Sequence, residues 1–240
     1  SIRELSGKIS GIIGSAIDIT EQRKSDRIIK KKNEYLSLLY EAGKMLSSTL
    51  NINKLYETML EIISKVAECD TLFVASYDKE ENLIKYNYLR DRVIGETIDT
   101  GKIPPIPLAP LGYGIISNVV RSGKAVILND YQSELKKVKI SFNVSLDLES
   151  KKTSDPDHKV GSAIIVPISV DDNIIGVIQI FSGKLNAYTR EQLSFIEALM
   201  QPIGLAINNA ILYQNAQNEI KERKLAEIKI SNSLNEKELL

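Results

Sequence analysis

The 240 residues are enough for one large or two small domains, and 43 % apolar with 26 % charged residues supply a full hydrophobic core, which gives no reason to read the whole chain as disordered. Lysine plus arginine balance aspartate plus glutamate at 31 each, so the broad positive field that a nucleic-acid binder needs is absent. A single cysteine, Cys69, and a single histidine, His158, exclude an internal disulfide, a Cys/His zinc cluster and any metal site built from two or three imidazoles.

Residues 7–19 read as a β-strand, and the chain starts inside this pattern without a methionine, as an excised fragment would. From residue 20 to about residue 46 the composition turns strongly helix-forming, with Ile28, Tyr35, Leu39, Ala42 and Leu46 recurring at three-and-four spacing. The run Lys30, Lys31, Lys32 is too short to mark an anionic partner and reads as a solvated helix face. Residues 47–53 break the stripe, and Asn53 is placed to cap a second helix that buries Leu55, Met59, Ile62, Ile63 and Val66. Cys69, between that helix and the next strand, reads as a small buried apolar residue.

Residues 71–77 and 83–89 are rich in β-branched and aromatic side chains around the charged turn 78–82, which predicts an antiparallel hairpin. Pro104, Pro105, Pro107 and Pro110 each remove a backbone donor, so this stretch is expected to be a rigid loop outside any ladder. A short helix over 114–121 should end at Gly123, where a left-handed residue costs little, and lead to a strand over 125–128. Residues 129–159 are polar and irregular, which predicts a lid containing a helical piece. Two nearly continuous apolar strands, 163–170 and 174–181, flank a hairpin turn at 171–173, and their composition implies a sheet covered on both faces. Thr189 three residues before Gln192 is a capping box opening a last helix. Its stripe of Leu193, Ile196, Met200, Ile203, Ile207 and Ala210, and the helix-forming residues beyond it, extend further than a domain core can use, which predicts pairing with a partner helix. No uninterrupted apolar run approaches the roughly 18 residues of a membrane helix, and the first residues lack a signal-peptide layout.

Four blocks then carry a resemblance. LGYGIISNVVRSGKAVILND (residues 111–130) is similar to LGxGIxxxVxxTGxPxxxxD; VGSAIIVPI (160–168) and IGVIQI (175–180) are similar to SxLxVPL and IGVLxL; AINNAILY (206–213) is similar to AIENAxLY. In this order they resemble the GAF family over residues 38–217. The resemblance implies an α+β fold, a central antiparallel sheet with terminal helices on one face and a lidded ligand pocket on the other. DITEQRK (18–24) resembles the end of a PAS domain, and SNSLNEKELL (231–240) resembles the stretch that precedes the EIHHRVKNN helix of one histidine-kinase class. The implied organisation is a PAS tail over 1–24, a signalling helix over 25–46, a GAF domain over 47–215 and a second signalling helix over 216–240.

The resemblance implies a cytoplasmic sensory segment without catalytic activity of its own. It would act as a homodimer through its terminal helices, with a kinase core and response regulator downstream and no contact with nucleic acid or membrane. Pocket residues implied by resemblance are Phe73, Tyr113, Ile116, Asn129, Asp130, Phe142 and Ser162, each of which has core packing or turn capping as its plainer role. Haem-binding GAF sensors place their proximal histidine near the position of His158, and a solvated loop residue is the alternative reading there. The cyclic-nucleotide signature NKxxxDE and the Cys-His pair of bilin attachment are missing. Three readings stay open: an unidentified small ligand, haem on His158, and a ligand-free dimerisation spacer.

Overall fold

The computed structural model describes residues 2–3, 9–11, 18–92, 98–139, 160–171 and 173–238. Contacts divide the chain into two units, Ser1–Leu38 and Leu39–Leu240. In the first, strands β1 (Ile2–Arg3) and β2 (Ile9–Gly11) pair antiparallel. Helix α1 (Thr20–Ser47) starts where the Asp18 carboxylate accepts a 2.9 Å hydrogen bond from the Thr20 amide. Hydrogen bonds from the Thr20 side chain and backbone hold Asp18 below the usual carboxylate range. The last turns of α1 belong to the second unit, where Ala42 and Leu46 of the predicted stripe are buried.

Helix α2 (Ile52–Val66) is capped by Asn51, not by the predicted Asn53: the Asn51 Oδ1 accepts from the amides of Asn53 (3.0 Å) and Lys54 (3.1 Å). Strands β3 (Thr71–Asp78) and β4 (Leu83–Asp91) form the expected hairpin, its turn pinned by the Asp78 carboxylate, which accepts from the amides of Glu80 and Glu81. The proline stretch corrects the sequence reading. Ile106–Pro107 is a two-residue strand, β5, paired to the outer edge of β4, where a missing proline donor costs the ladder nothing.

Helix α3 (Ile115–Ser122) ends at Gly123, whose φ of 65° is the left-handed conformation expected there. Strand β6 (Val126–Leu128) follows, then helix α4 (Tyr131–Leu135), which is the helical piece expected in the lid segment. The rest of that segment, with Phe142 and His158, lies outside the described residues. Strands β7 (Ser162–Val170) and β8 (Asn173–Ser182) form the last hairpin. Helix α5 (Arg190–Glu238) opens with the predicted capping box: the Thr189 amide donates to Gln192 Oε1 (2.8 Å) and the Gln192 amide to Thr189 Oγ1 (3.2 Å). Gln192 Nε2 also donates to the Val66 carbonyl (2.9 Å), tying α5 to the end of α2. Averaged over an 18-residue window, α5 reaches the hydropathy of a membrane span, but half of that window is buried in this domain, as in the core helix of a soluble fold.

The six main strands form one antiparallel sheet in the order β5-β4-β3-β8-β7-β6. Helix α5 packs on β7 and against α2, while α3 packs on β7 and β8 from the other side. The helical layer buries Leu55, Met59, Ile63, Ile196 and Leu199. A second apolar group gathers under α3 on the opposite face, from Ala75, Ile84, Ala163, Ile165 and Val177. Both faces of the central strands are therefore covered, which is why their sequences are almost continuously apolar.

Candidate functional site

Directly opposed residues of an antiparallel ladder share a face, so the register places side chains in rows. One row across the sheet is Phe73, Gln179, Ile165 and Val126; the next is Thr71, Phe181, Ala163 and Leu128; on the other side lie Tyr86, Ala75 and Val177. These rows put the Gln179 side chain in the middle of the face covered by α3, within the otherwise apolar run 174–181.

Aromatic rings surround that position. Phe73 meets Tyr86 edge to face at 5.5 Å and Phe181 at 5.6 Å, and Phe181 meets Tyr131 at 5.2 Å, giving a continuous chain of four rings. Tyr131 reaches the group because Asp130 caps α4, its carboxylate accepting from the Ser133 amide (3.0 Å), while the Tyr131 amide donates to the Gly161 carbonyl (2.9 Å). Burial pushes the Tyr131 phenol up to about 12, with the Tyr86 hydroxyl nearby adding to the shift. Burial also raises Tyr86, opposed by its hydrogen bond with the Gln179 side chain. Gln179 is 2 % exposed; its amide nitrogen lies against the Tyr86 phenol oxygen but closes no well-formed hydrogen bond among the described residues. A buried, unsatisfied donor costs about 1–3 kcal/mol. The group therefore offers a donor and two phenols inside an apolar, aromatic surround.

The nearby Arg121 is already engaged, its Nε donating to the Ala109 carbonyl (2.7 Å) and its Nη2 to the Leu108 carbonyl (3.3 Å).

Two of the residues implied by resemblance, Phe73 and Ile116, lie against this group. Ser162 is wholly buried but structural: its hydroxyl donates to the Lys184 carbonyl (2.6 Å) and accepts from the Ala187 amide (3.3 Å), shaping the loop into α5. Asn129 is exposed and its carbonyl accepts from the Asn186 amide; Asp130 is exposed and serves as the α4 cap. Tyr113 lies outside the group, with the Lys139 ammonium 4.7 Å from its ring centre. Sequence reasoning missed Tyr86, Tyr131, Gln179 and Phe181. The available signal was Gln179 itself, the one amide side chain within the apolar run IIGVIQIF.

Two concavities lie elsewhere among the described residues. A depression of about 420 Å³ is lined by Cys69, Glu68, Asp70, Arg90 and Arg92. Burial, then the Asp70 carboxylate, pushes the Cys69 thiol up to about 12, so it stays protonated at neutral pH and is no nucleophile. Alkylation of native Cys69 by iodoacetamide at pH 8 is expected to run about a thousandfold slower than that of a free cysteine, and at the ordinary rate after unfolding. A native rate within tenfold of the free thiol would contradict this burial. The other concavity, an open groove of about 620 Å³, runs between the end of α1 and α5 along Tyr40, Gly43, Leu50, Pro202 and Leu205.

Comparison with known proteins agrees with this architecture. The model of the GAF domain family matches residues 49–208. A peroxide stress-activated histidine kinase of Schizosaccharomyces pombe is 21 % identical over 217 residues, covering 87 % of this chain but only 8 % of the kinase. Among solved structures, the GAF domain of an Acinetobacter phosphoenolpyruvate-protein phosphotransferase superposes with a TM-score of 0.57 at 13 % identity, over 75 % of this chain and 96 % of the other. The free methionine-R-sulfoxide reductase of Neisseria meningitidis gives 0.52 at 14 % identity, over 85 % and 99 %. At such identities the structural likeness speaks for the fold alone.

Proposed function

This chain belongs to the GAF domain family, and from that premise we propose that it is the sensory module of a signalling histidine kinase, binding a small molecule on the aromatic face of its sheet. The observation that carries the reading is the Gln179 amide buried among four aromatic rings, its donor no better satisfied than by a loose contact with the Tyr86 phenol, a costly arrangement for a face with no task beyond packing. The distant kinase relative supports the signalling context. In this reading residues 1–24 are the tail of a PAS domain and the module works in the cytoplasm.

Ligand on one face of β7 and β8 alters how the other face seats α5, and α5 carries the change toward a kinase core and its response regulator. Exposed apolar residues along α5, among them Leu212, Ile220, Leu225 and Ile228, support pairing of this helix with that of a second copy. The module is regulatory rather than catalytic: Cys69 is the chain's single cysteine and its thiol is held protonated, so the chain alone offers no second thiol for exchange.

Native mass spectrometry of protein purified without denaturation tests the ligand. The expected mass exceeds that of the polypeptide by one small molecule per chain, and removing it lowers the melting temperature by about 5–10 °C. A bare native mass, with no melting shift from any compound of a metabolite library, would leave only the spacer reading. A Soret band altered by His158→Ala would move the reading to haem.

A further inference from the structure

We propose that the open groove between the end of α1 and α5 is where two copies of this chain dock, with Tyr40 of each seated over Gly43 of the other. The inference rests on the reading that α5 pairs with that of a second copy, and adds where on the folded domain the contact is made and which residues hold it.

Gly43 is a glycine that the fold itself does not need. It lies in the last turns of α1, inside a helix, where glycine is less stable than alanine because it gives up more backbone freedom. At Gly176 and Gly204 neighbouring backbone excludes a Cβ, but at Gly43 nothing stands within 4 Å of that position. The bare backbone therefore serves an approach from outside the chain, because a helix without a side chain at one point lets a group from another helix come down onto its surface.

The groove asks for an apolar occupant. It holds about 620 Å³ between Tyr40, Gly43, Leu46 and Leu50 of the α1 end and Pro202 and Leu205 of α5. Its hydroxyls are already engaged, that of Ser47 donating to the Gly43 carbonyl and that of Thr49 accepting from the Asn51 amide (3.2 Å).

A second copy fits because the patch carries both halves of the contact. Tyr40 is 75 % exposed and stands one turn before Gly43 on the same face of α1, so a two-fold axis brings each ring over the other copy's glycine. Leu50, Leu205 and Leu212 are 48 %, 45 % and 58 % exposed beside it. With Tyr40 they offer roughly 450 Å² of apolar surface, more than half of the about 800 Å² that each partner gives to a standard interface. The same side of α5 continues from Leu205 through Leu212 to Ile220, along residues 211–229, all of them exposed. A helical extension of that kind gains its stability by packing on another helix, and the groove gives the pairing a fixed starting point on the domain.

Sedimentation equilibrium of the whole chain tests this. A dimer is expected at about 10 µM, and Tyr40→Glu is expected to weaken it at least a hundredfold with unchanged far-UV circular dichroism. Gly43→Ala is expected to weaken the dimer at least tenfold while raising the melting temperature of the dissociated chain, a split that a glycine with a purely structural role would not show. A dimer indifferent to either variant overturns the seating of Tyr40 on Gly43; if Ile220→Glu dissociates that dimer, the pairing of α5 stands without it. A chain that stays monomeric at about 100 µM overturns the second copy as occupant and the α5 pairing together, and gives the groove to a partner of different sequence.

Discussion

Gly176→Val is expected to deprive the domain of its native fold. Gly176 lies in β8, between Ser76 of β3 and Ile168 of β7. A Cβ at this position would fall on the carbonyl oxygen of Ala75 and within 3.3 Å of the Ser76 Cα. Those atoms are backbone, so relief requires β3 and β8 to separate and gives up ladder hydrogen bonds in the middle of the sheet. The need for glycine here is a close approach of two chains, not a left-handed turn. Overpacking a core costs about 1–3 kcal/mol where side chains can yield, and more where they cannot. With valine the loss is of the order of 5 kcal/mol, which is comparable with the whole stability of many domains. Circular dichroism should show no cooperative melt, or one lowered by more than about 15 °C. Gly112→Ala is the control: its φ is 86°, but nothing lies within 4 Å of the added carbon, so only the backbone strain of about 1 kcal/mol is expected. A Gly176→Val protein that melts within a few degrees of the parent would show that β3 and β8 are not so closely apposed.

The two faces of the sheet were legible from sequence only as far as strict alternation holds. Strands β3, β4, β6, β7 and β8, the capping box at Thr189 and the left-handed end at Gly123 all have local signals, and each lies within a residue or two of where pattern and chemistry put it, whereas the strand expected over residues 7–19 is described only at Ile9–Gly11. Tyr86 and Tyr88 show where such signals stop. Spaced by two, they should share a face. A register shift between Val74 and Ala75 instead pairs Tyr86 with Ala75 and Tyr88 with Val74. Tyr86 thus meets Phe73 on the candidate ligand face, while Tyr88 stacks at 5.1 Å on Tyr56 of α2 on the other. A bulge of this kind has no mark in the residues concerned. Tyr131 was hidden for a different reason, since its place depends on an α4 cap and a backbone bond to Gly161, a residue thirty positions away. The site combines four segments through register and capping, and a linear pattern specifies neither. Asn51 in place of Asn53 as the α2 cap is a smaller case: both residues can cap, and the choice rests on which backbone is extended, here Asn51 with φ −85° and ψ 115°.

Gly204→Ala is expected to lift α5 from the sheet and lower the melting temperature by about 5–8 °C, with a larger loss for valine. An added Cβ at Gly204 would stand 2.6 Å from the Ser169 carbonyl oxygen, 3.0 Å from Val170 Cγ2 and 3.3 Å from Ile168 Cγ2. The α5 backbone therefore rests on the end of β7 with no side chain between them. Two residues earlier, Pro202 has no N–H to give the carbonyl of Ala198, so the helix is weakened by one hydrogen bond beside its tightest contact. Unlike β8, which is held in ladders on both sides, a helix can tilt to relieve such a clash. The expected product is a folded protein with a displaced α5, in contrast to the loss of fold at Gly176. Gly43→Ala in α1 separates the clash from a general effect of alanine: nothing lies within 4 Å there, and a helical alanine should stabilise by about 0.5–1 kcal/mol. If α5 transmits what the opposite face binds, Gly204→Ala must also change ligand affinity, because displacing the helix biases the same two states from the other end. An alanine variant that loses stability yet binds ligand unchanged would separate the helix seat from the site, and signalling would then need a route other than β7.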